Sequence, residues 1–530
     1  MRGVDPRLAE RYHRLGYWEN QTFCNYLERN IERWPDRLAV IDSTRRVTWR
    51  EMGERVERTA AGLLHLGVQA GDTVAVQIPN RVEFFYLRFA LQRIGARALT
   101  LAADLREGDL APALRAAGCW VVVTPLEYRG FNYFGMFHRL REHVPTLKQI
   151  VLVDDGESMA VPSISQWIER ADITDLAAVG PGIGPNEVDL LMLTSGTTGM
   201  PKLCGRTANV FAYRARTMNE RIGLTAEDRL LSLAPITQGI GQLFGLACFM
   251  VSGATLVLLE RFAPEEALRA IEREEVTVAA GVPTHALRMM ACGHVGEVDL
   301  RRLRLFVLGA AGCPPAKQRE LERTLGCATL NYYGMAEIGI PAIPFANDPP
   351  SIRHETSGRI LPGMEVKFVD EDGSAMAPGE CGEVLVRGPG VSMGYLGDNE
   401  GNDRLFDAEG WGHTGDLGYL DRDNILHVVG RKKDIIIRGG LNIVPREIED
   451  LIASHPSVRQ VAVIGLPDPE LGERACVVAA LRPGHRLALN ELVDFLRTHE
   501  ISTYKLPERL EIVDELPVTA IGKIDRRNLR

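Results

Sequence analysis

The 530-residue chain has no CxxC pair among its nine cysteines (Cys24, Cys119, Cys204, Cys248, Cys292, Cys313, Cys327, Cys381 and Cys476). Free thiols in a reducing cytosol are therefore expected, and with them a cytoplasmic location. It has no basic excess: 61 Lys and Arg face 70 Asp and Glu, for a net charge of −9. No overall positive field exists to hold a nucleic-acid backbone. It also lacks an unbroken apolar run of membrane length. The most apolar stretch, 243–259, is interrupted by Gly245, Ser252 and Gly253, and reads as a buried helix followed by a strand. The start, MRGVDPRLAERYHRLGYW, carries charge without the apolar core of a secretory signal. Internal repeats and low-complexity tracts are absent as well. What remains is ordinary: 45% apolar and 25% charged residues. Those values exclude a disordered chain, a collagen-like repeat and a disulfide-stapled miniprotein, and the length implies two or more folding units.

Short β-branched runs ending in Gly or Pro alternate with helical patterns. TVAVQIP (73–79), ATLVLL (254–259), VTVAAGVPT (276–284) and LRLFVLGA (303–310) read as strands, and APEEALRAIEREE (263–275) as a helix. Such alternation predicts mainly parallel sheets covered on both faces by helices. From about 365 to 430, EVKFVD, GEVLVRG and ILHVVG are separated by turn pairs and predict antiparallel β structure. After the charged turn GRKKD (430–434) a compact strand–helix–strand–helix pattern begins. The expected fold class is α/β with a small α+β domain. Its large N-terminal domain, 1–432, combines two mainly parallel sheets with an antiparallel β subdomain, and a C-terminal lobe spans 433–530.

Five segments carry polar chemistry. In LLMLTSGTTGMPK (190–202) a strand runs into Thr194, Ser195, Gly196, Thr197, Thr198 and Gly199, then Lys202. Backbone N–H groups, hydroxyls and one cation are the parts of a polyphosphate cradle, although a surface turn has the same composition. The Walker pattern is absent, because Lys202 follows Pro201 and GK[ST] does not occur. In NYYGMAE, Asn331 can pair with an adenine edge, Tyr333 can face a purine, and Glu337, after the turn containing Gly334, can bind a divalent cation. WGHTGDLGYL places Asp416 in a glycine-bounded turn, where a carboxylate can accept two ribose hydroxyls or simply close an Asx-turn. GRKKDIIIRGG (430–440) and the terminal LPVTAIGKIDRRNLR, with Lys523, complete the set.

In this order and spacing the five segments resemble the adenylate-forming superfamily of acyl-CoA synthetases, peptide-synthetase adenylation domains and beetle luciferases, over essentially the whole chain. GYWENQTF (16–23), GMAE (334–337) and YKLPERLEIV (504–513) look most like stand-alone aryl-acid–AMP ligases. The resemblance implies that Thr194–Gly199 and Lys202 close over the β- and γ-phosphates of ATP and that Glu337 holds Mg²⁺. Tyr333 would stack on adenine, Asn331 would bond its edge, and Asp416 and Arg431 would take the ribose. Lys523, with Glu337 and Thr194, would serve the reaction itself. It further implies a C-terminal lid domain that swings about Lys433, so that Gly439 and Gly440 line a passage for the pantetheine arm of CoA or of a carrier protein.

This chain departs from the family pattern at several places. Ala336 replaces the usual threonine before Glu337. In LAPITQGIGQLFG (233–245), Gln238 takes an aromatic or histidine position, Gly239 an asparagine position and Phe244 a serine position. Gly309, Ala310 and Ala311 stand for the pocket-lining Gly-Gly-Ala. The readers of an ortho hydroxyl are thus missing, and no aspartate is present in 233–245 to pair with an α-ammonium. The expected reaction is ATP-dependent activation of an aryl or bulky apolar carboxylic acid with pyrophosphate release, then thioester formation with CoA. The alternative acceptor is a separate carrier protein. More distant readings are a luciferase-like oxygenase and a non-catalytic nucleotide-binding module. Neither a monomer nor a homodimer is favoured.

Overall fold

Strands with apolar side chains on both faces must be covered on both faces, and they assemble accordingly. The computed structural model describes residues 5–154, 161–174, 176, 179–180, 182–194, 202–518 and 524–529. Leu38–Ile41, Arg229–Ser232, Thr255–Leu258, Val278–Gly281, Leu305–Leu308 and Ala328–Asn331 pair in parallel, with Arg46–Thr48 added antiparallel at one edge, in a seven-stranded sheet. A second sheet of six strands holds Thr73–Val76, Arg97–Thr100, Val121–Thr124, Gln149–Leu152 and Val188–Thr194 in parallel, and closes with the antiparallel strand Lys202–Thr207. Helix Ala208–Ile222 is buried along nearly its whole length and belongs to the same large core as both sheets.

The outer helices follow the one-sided rule. Pro264–Arg273 starts with proline and two glutamates, ends in arginine, and buries only Ala267, Leu268, Ala270 and Ile271. The stretch 243–259 is the expected helix and strand. Its helical part takes π geometry at Leu243–Cys248 before one α turn, Phe249–Ser252, and the strand Thr255–Leu258. Among the described residues no helix is long and apolar enough to cross a membrane.

The antiparallel region is a third, seven-stranded sheet running from Tyr333–Met335 through Ile425–Arg431 and then Gly412–Leu420 to Glu365–Val369. Its strand Ile425–Arg431 leads into a short 3₁₀ turn, Lys432–Asp434, after which Ile436–Arg438 opens the sheet of the C-terminal lobe. That lobe has its own core, in which Ile448 and Ile452 of helix Pro445–Ile452 meet Val463, Val477, Leu492 and Leu496. Polar bonds hold it on the large domain: Arg446 donates to Val428 O at 2.9 Å, Lys317 to Val458 O at 3.2 Å, and Arg482 to both Glu320 oxygens at 2.9 Å.

Candidate active site

The strand Ala328–Asn331 delivers its last residues to the junction with the third sheet, where Tyr333 begins the next strand. Tyr333 Oη donates to Asp416 Oδ2 at 2.7 Å, and Arg431 Nε lies 3.3 Å from Asp416 Oδ1. Asp416 is in the strand Gly412–Leu420, directly paired with Arg431, and not in a turn. The glycine beside it has a different use from turn formation: Gly415 takes φ +69°, a local kink where the pairing register shifts. Asp416 is buried, and burial together with its charge pushes the Tyr333 phenol well up, so the hydroxyl stays a donor. Three residues separated by almost a hundred positions are thereby joined.

Glu337, four residues after Tyr333, is 8% exposed. Tyr395 Oη donates to its Oε1 at 3.1 Å, and burial beside that carboxylate drives the Tyr395 phenol upward. The ring of Tyr395 lies 4.6 Å from Lys202 Nζ, which also pairs with Asp398 Oδ2 at 2.8 Å. Thr194 and Lys202 are cross-strand partners on either side of 195–201, with Thr194 Oγ1 donating to Lys202 O at 3.4 Å. Two buried arginines stand behind. Arg214 donates from Nε to Gly390 O at 2.7 Å and also to Ala336 O, and Arg206 donates to Gln242 Oε1 at 2.6 Å. Burial pushes both guanidinium pKa values down, while Cys204 and Glu337 favour the charged forms. Among the described residues no cluster of three His, Cys, Asp or Glu side chains can cage a metal. A buried carboxylate of this kind suits a Mg²⁺ that keeps its waters and shares a substrate's phosphates.

The proposed acid pocket is more crowded than its sequence suggests. Tyr332 lies across Gly309, where an added Cβ would meet the ring's Cε1 at 2.1 Å. The Tyr332 ring sits 6.2 Å from that of Phe244, which is wholly buried and has no surface to present. Gln238 is the half-buried residue before helix Gly239–Gln242, and Gly239 is exposed with open space around it. Ala310 adopts φ +66°, an unfavourable conformation for a residue with a Cβ, and Ala311 is half-buried beside it. Asn331 holds this loop. With its donors facing acceptors, its amide donates to Leu308 O and Ala311 O at 3.2 Å and accepts from Cys313 N at 3.3 Å.

Lys433 is exposed in the short turn between the domains. Gly439 and Gly440 form the two-residue tip of the hairpin Ile436–Ile443, with φ +57° and +82°, a turn matched to strand twist. The tip is exposed in this arrangement, together with Ile437 and Leu441. Ser195, Gly196, Thr197, Thr198, Gly199 and Lys523 lie outside the described residues. Tyr332, Tyr395, Arg206 and Arg214 were not singled out by sequence reasoning. Only Tyr332 carried a signal, through its place between two selected residues. The others depend on contacts across long stretches of chain.

The AMP-binding enzyme profile matches residues 27–396 and the AMP-binding enzyme C-terminal domain matches 447–523. The chain is 34% identical to a salicyl-AMP ligase / salicyl-S-ArCP synthetase of Mycobacterium tuberculosis, over 99% of this chain and 94% of that one. It is 32% identical to a 2-hydroxy-7-methoxy-5-methyl-1-naphthoate–CoA ligase of Streptomyces carzinostaticus, over 99% and 95%. Among solved structures, the anthranilate CoA ligase AuaEII in complex with anthranoyl-AMP superposes with a TM-score of 0.88 at 26% identity, covering 96% of this chain and 97% of that one.

Proposed function

The chain belongs to the AMP-binding enzyme family of adenylate-forming ligases, and from that premise we propose that it activates an aryl carboxylic acid with ATP and passes the acyl group to a thiol. The observation that supports this is that elements drawn from two sheets bring Glu337 and Lys202 against the same Tyr395, while Tyr333 is bonded to Asp416. Carboxylate and triphosphate are both anions and must come within reacting distance, so fixed positive charge has to offset their repulsion. Mg²⁺ supplies part of that charge when bound with the nucleotide. Glu337 would anchor it, Lys202 with the loop 194–199 would hold the β- and γ-phosphates, and Tyr333 would face the adenine. Asp416 and Arg431 would hold the ribose. Lys523 would bring the cation to the reacting carboxylate, and its departure by rotation of the lobe 433–530 about Lys433 would admit a thiol past Gly439 and Gly440.

An aryl acid is preferred over an extended acyl chain, in keeping with the salicyl and hydroxynaphthoate ligases among the relatives. CoA is the preferred acceptor, and a phosphopantetheinylated carrier protein is the second reading, since relatives with either acceptor match over the full length. Isotope exchange between pyrophosphate and ATP, run over a panel of aryl, fatty and polycyclic acids, tests the first step. Exchange with aryl acids is expected, and none with any acid would refute the proposal. Consumption of the adenylate by CoA against a loaded carrier then separates the two acceptors.

A further inference from the structure

The segment 392–396 joins the two halves of the phosphate site through backbone and side chain. At one end, Ser392 donates from N and from Oγ to Glu337 O, at 2.9 and 2.5 Å. At the other, Leu396 N donates to Leu203 O at 2.8 Å and Gly205 N to Gly394 O at 2.9 Å, which lays the segment along the strand that begins with Lys202. Between them stands Tyr395. Its own backbone is clamped by one side chain: Asn402 Oδ1 accepts from Tyr395 N at 2.7 Å, and Asn402 Nδ2 donates to Tyr395 O at 2.9 Å. Gly394 makes the clamp possible, because at φ +73° an added Cβ would meet Asn402 Oδ1 at 2.3 Å. The phenol oxygen then reaches Glu337 Oε1 at 3.1 Å while the ring face lies 4.6 Å from Lys202 Nζ.

We propose that Tyr395 is a positioning residue that fixes the metal-binding carboxylate of Glu337 and the phosphate-binding ammonium of Lys202 in one mutual arrangement. This rests on the roles proposed for Glu337 and Lys202. A carboxylate with free rotation about its last bonds binds a metal poorly until it is oriented, and a hydrogen bond to one oxygen leaves the other to face the ion. Among the described residues Tyr395 is the one side chain that donates to that carboxylate, and Ala336 has no hydroxyl to offer beside it. The two functions of Tyr395 are separable, because the hydroxyl serves Glu337 and the ring serves Lys202.

The test compares the parent, Tyr395→Phe and Tyr395→Leu by Mn²⁺ titration of the ATP complex, read by electron paramagnetic resonance, and by ATP binding in EDTA, read by calorimetry. Tyr395→Phe is expected to raise the half-saturating Mn²⁺ about tenfold, the low end for losing a partner that orients a metal ligand. Its metal-free ATP affinity should stay within about twofold, because the ring under Lys202 remains. Tyr395→Leu is expected to weaken both. Coincident Mn²⁺ curves for parent and Tyr395→Phe would overturn the assignment. So would a drop in melting temperature, without nucleotide or metal, large enough to account for the change. Absence of pyrophosphate–ATP exchange in the parent would instead overturn the proposed function, and the Mn²⁺ comparison would still decide the part played by Tyr395.

Discussion

Glycines at two places in the molecule show two kinds of construction. Around the proposed adenylation site they are required by lack of room: Gly309 has the Tyr332 ring 2.1 Å from where its Cβ would be, and Gly339 has Gly390 O at 2.2 Å. At the tip of the hairpin 436–443 nothing lies within 4 Å of a Cβ on Gly440, and glycine is there for its backbone, at φ +82°. The first region is packed to one geometry. The second is a surface held out in solvent, with Ile437 55% and Leu441 48% exposed on the same hairpin. Under the two-step reaction proposed above, a packed site and a solvent-exposed hairpin would serve different steps. Chemistry between two anions needs preorganised charge, whereas entry of a second substrate needs a part that can be exchanged.

The sharpest way to break that division is to remove charge from each side in turn. Glu337→Gln is expected to lower pyrophosphate–ATP exchange by roughly 10²–10³, the usual effect of losing one preorganised charge. Lys523→Ala should abolish exchange while leaving thioester formation from supplied acyl-adenylate largely intact. Equal loss of both steps in Lys523→Ala, measured by thioester yield, would refute a two-orientation scheme. A smaller effect is expected at the hairpin. Gly440→Val should slow transfer to the thiol about tenfold and leave exchange nearly unchanged, since the tip is remote from packed groups in this arrangement.

Stability should separate the regions as well. Gly309→Ala forces a methyl into the Tyr332 ring and is expected to cost about 1–3 kcal/mol by thermal or denaturant unfolding. Gly440→Ala meets only backbone strain and should cost about 1 kcal/mol. A reversed order would contradict the distinction between room and conformation. The smallest effect concerns docking of the lobe. Asp450 lies beside Arg446, which donates to Val428 O and rests against Gly312, and burial pushes the Asp450 carboxyl up to about 6. The unfolded chain loses that proton near pH ~4, so the folded form holds more protons between the two values. Stability is therefore expected to fall as pH rises through about 4 to 6. Asp450→Asn should flatten this slope and slightly raise the melting temperature at pH 7, as thermal scans across the window would show.

Much of the architecture follows from local pattern. Doubly apolar runs such as Val121–Thr124 can be satisfied only inside a covered parallel sheet, and the one-sided helix 264–273 only on its outside. Lys202, Glu337 and Asp416 stand out in the sequence for the same reason, because they are polar groups among strand and turn residues where bulk hydrophobicity has no use for them. Partnership was not legible. Asn331 has the donors and acceptor an adenine edge needs, yet its amide is engaged by Leu308, Ala311 and Cys313. Phe244, at a position read as pocket lining, is wholly buried with the Tyr332 ring 6.2 Å away. Asp416 looked like a turn residue because glycines flank it, and cross-strand pairing with Arg431 places it in a strand.

By itself, then, the order of residues determined the alternation of strands and helices, the chemistry available in each motif, and the break between a large domain and a small one, since these depend on periodicity and side-chain type within a few residues. The tertiary structure alone decided that Tyr395 meets Glu337 across 58 positions and that its ring lies by Lys202. Those outcomes depend on how separate sheets and loops pack, where a missing Cβ or an ångström of register selects which polar groups touch.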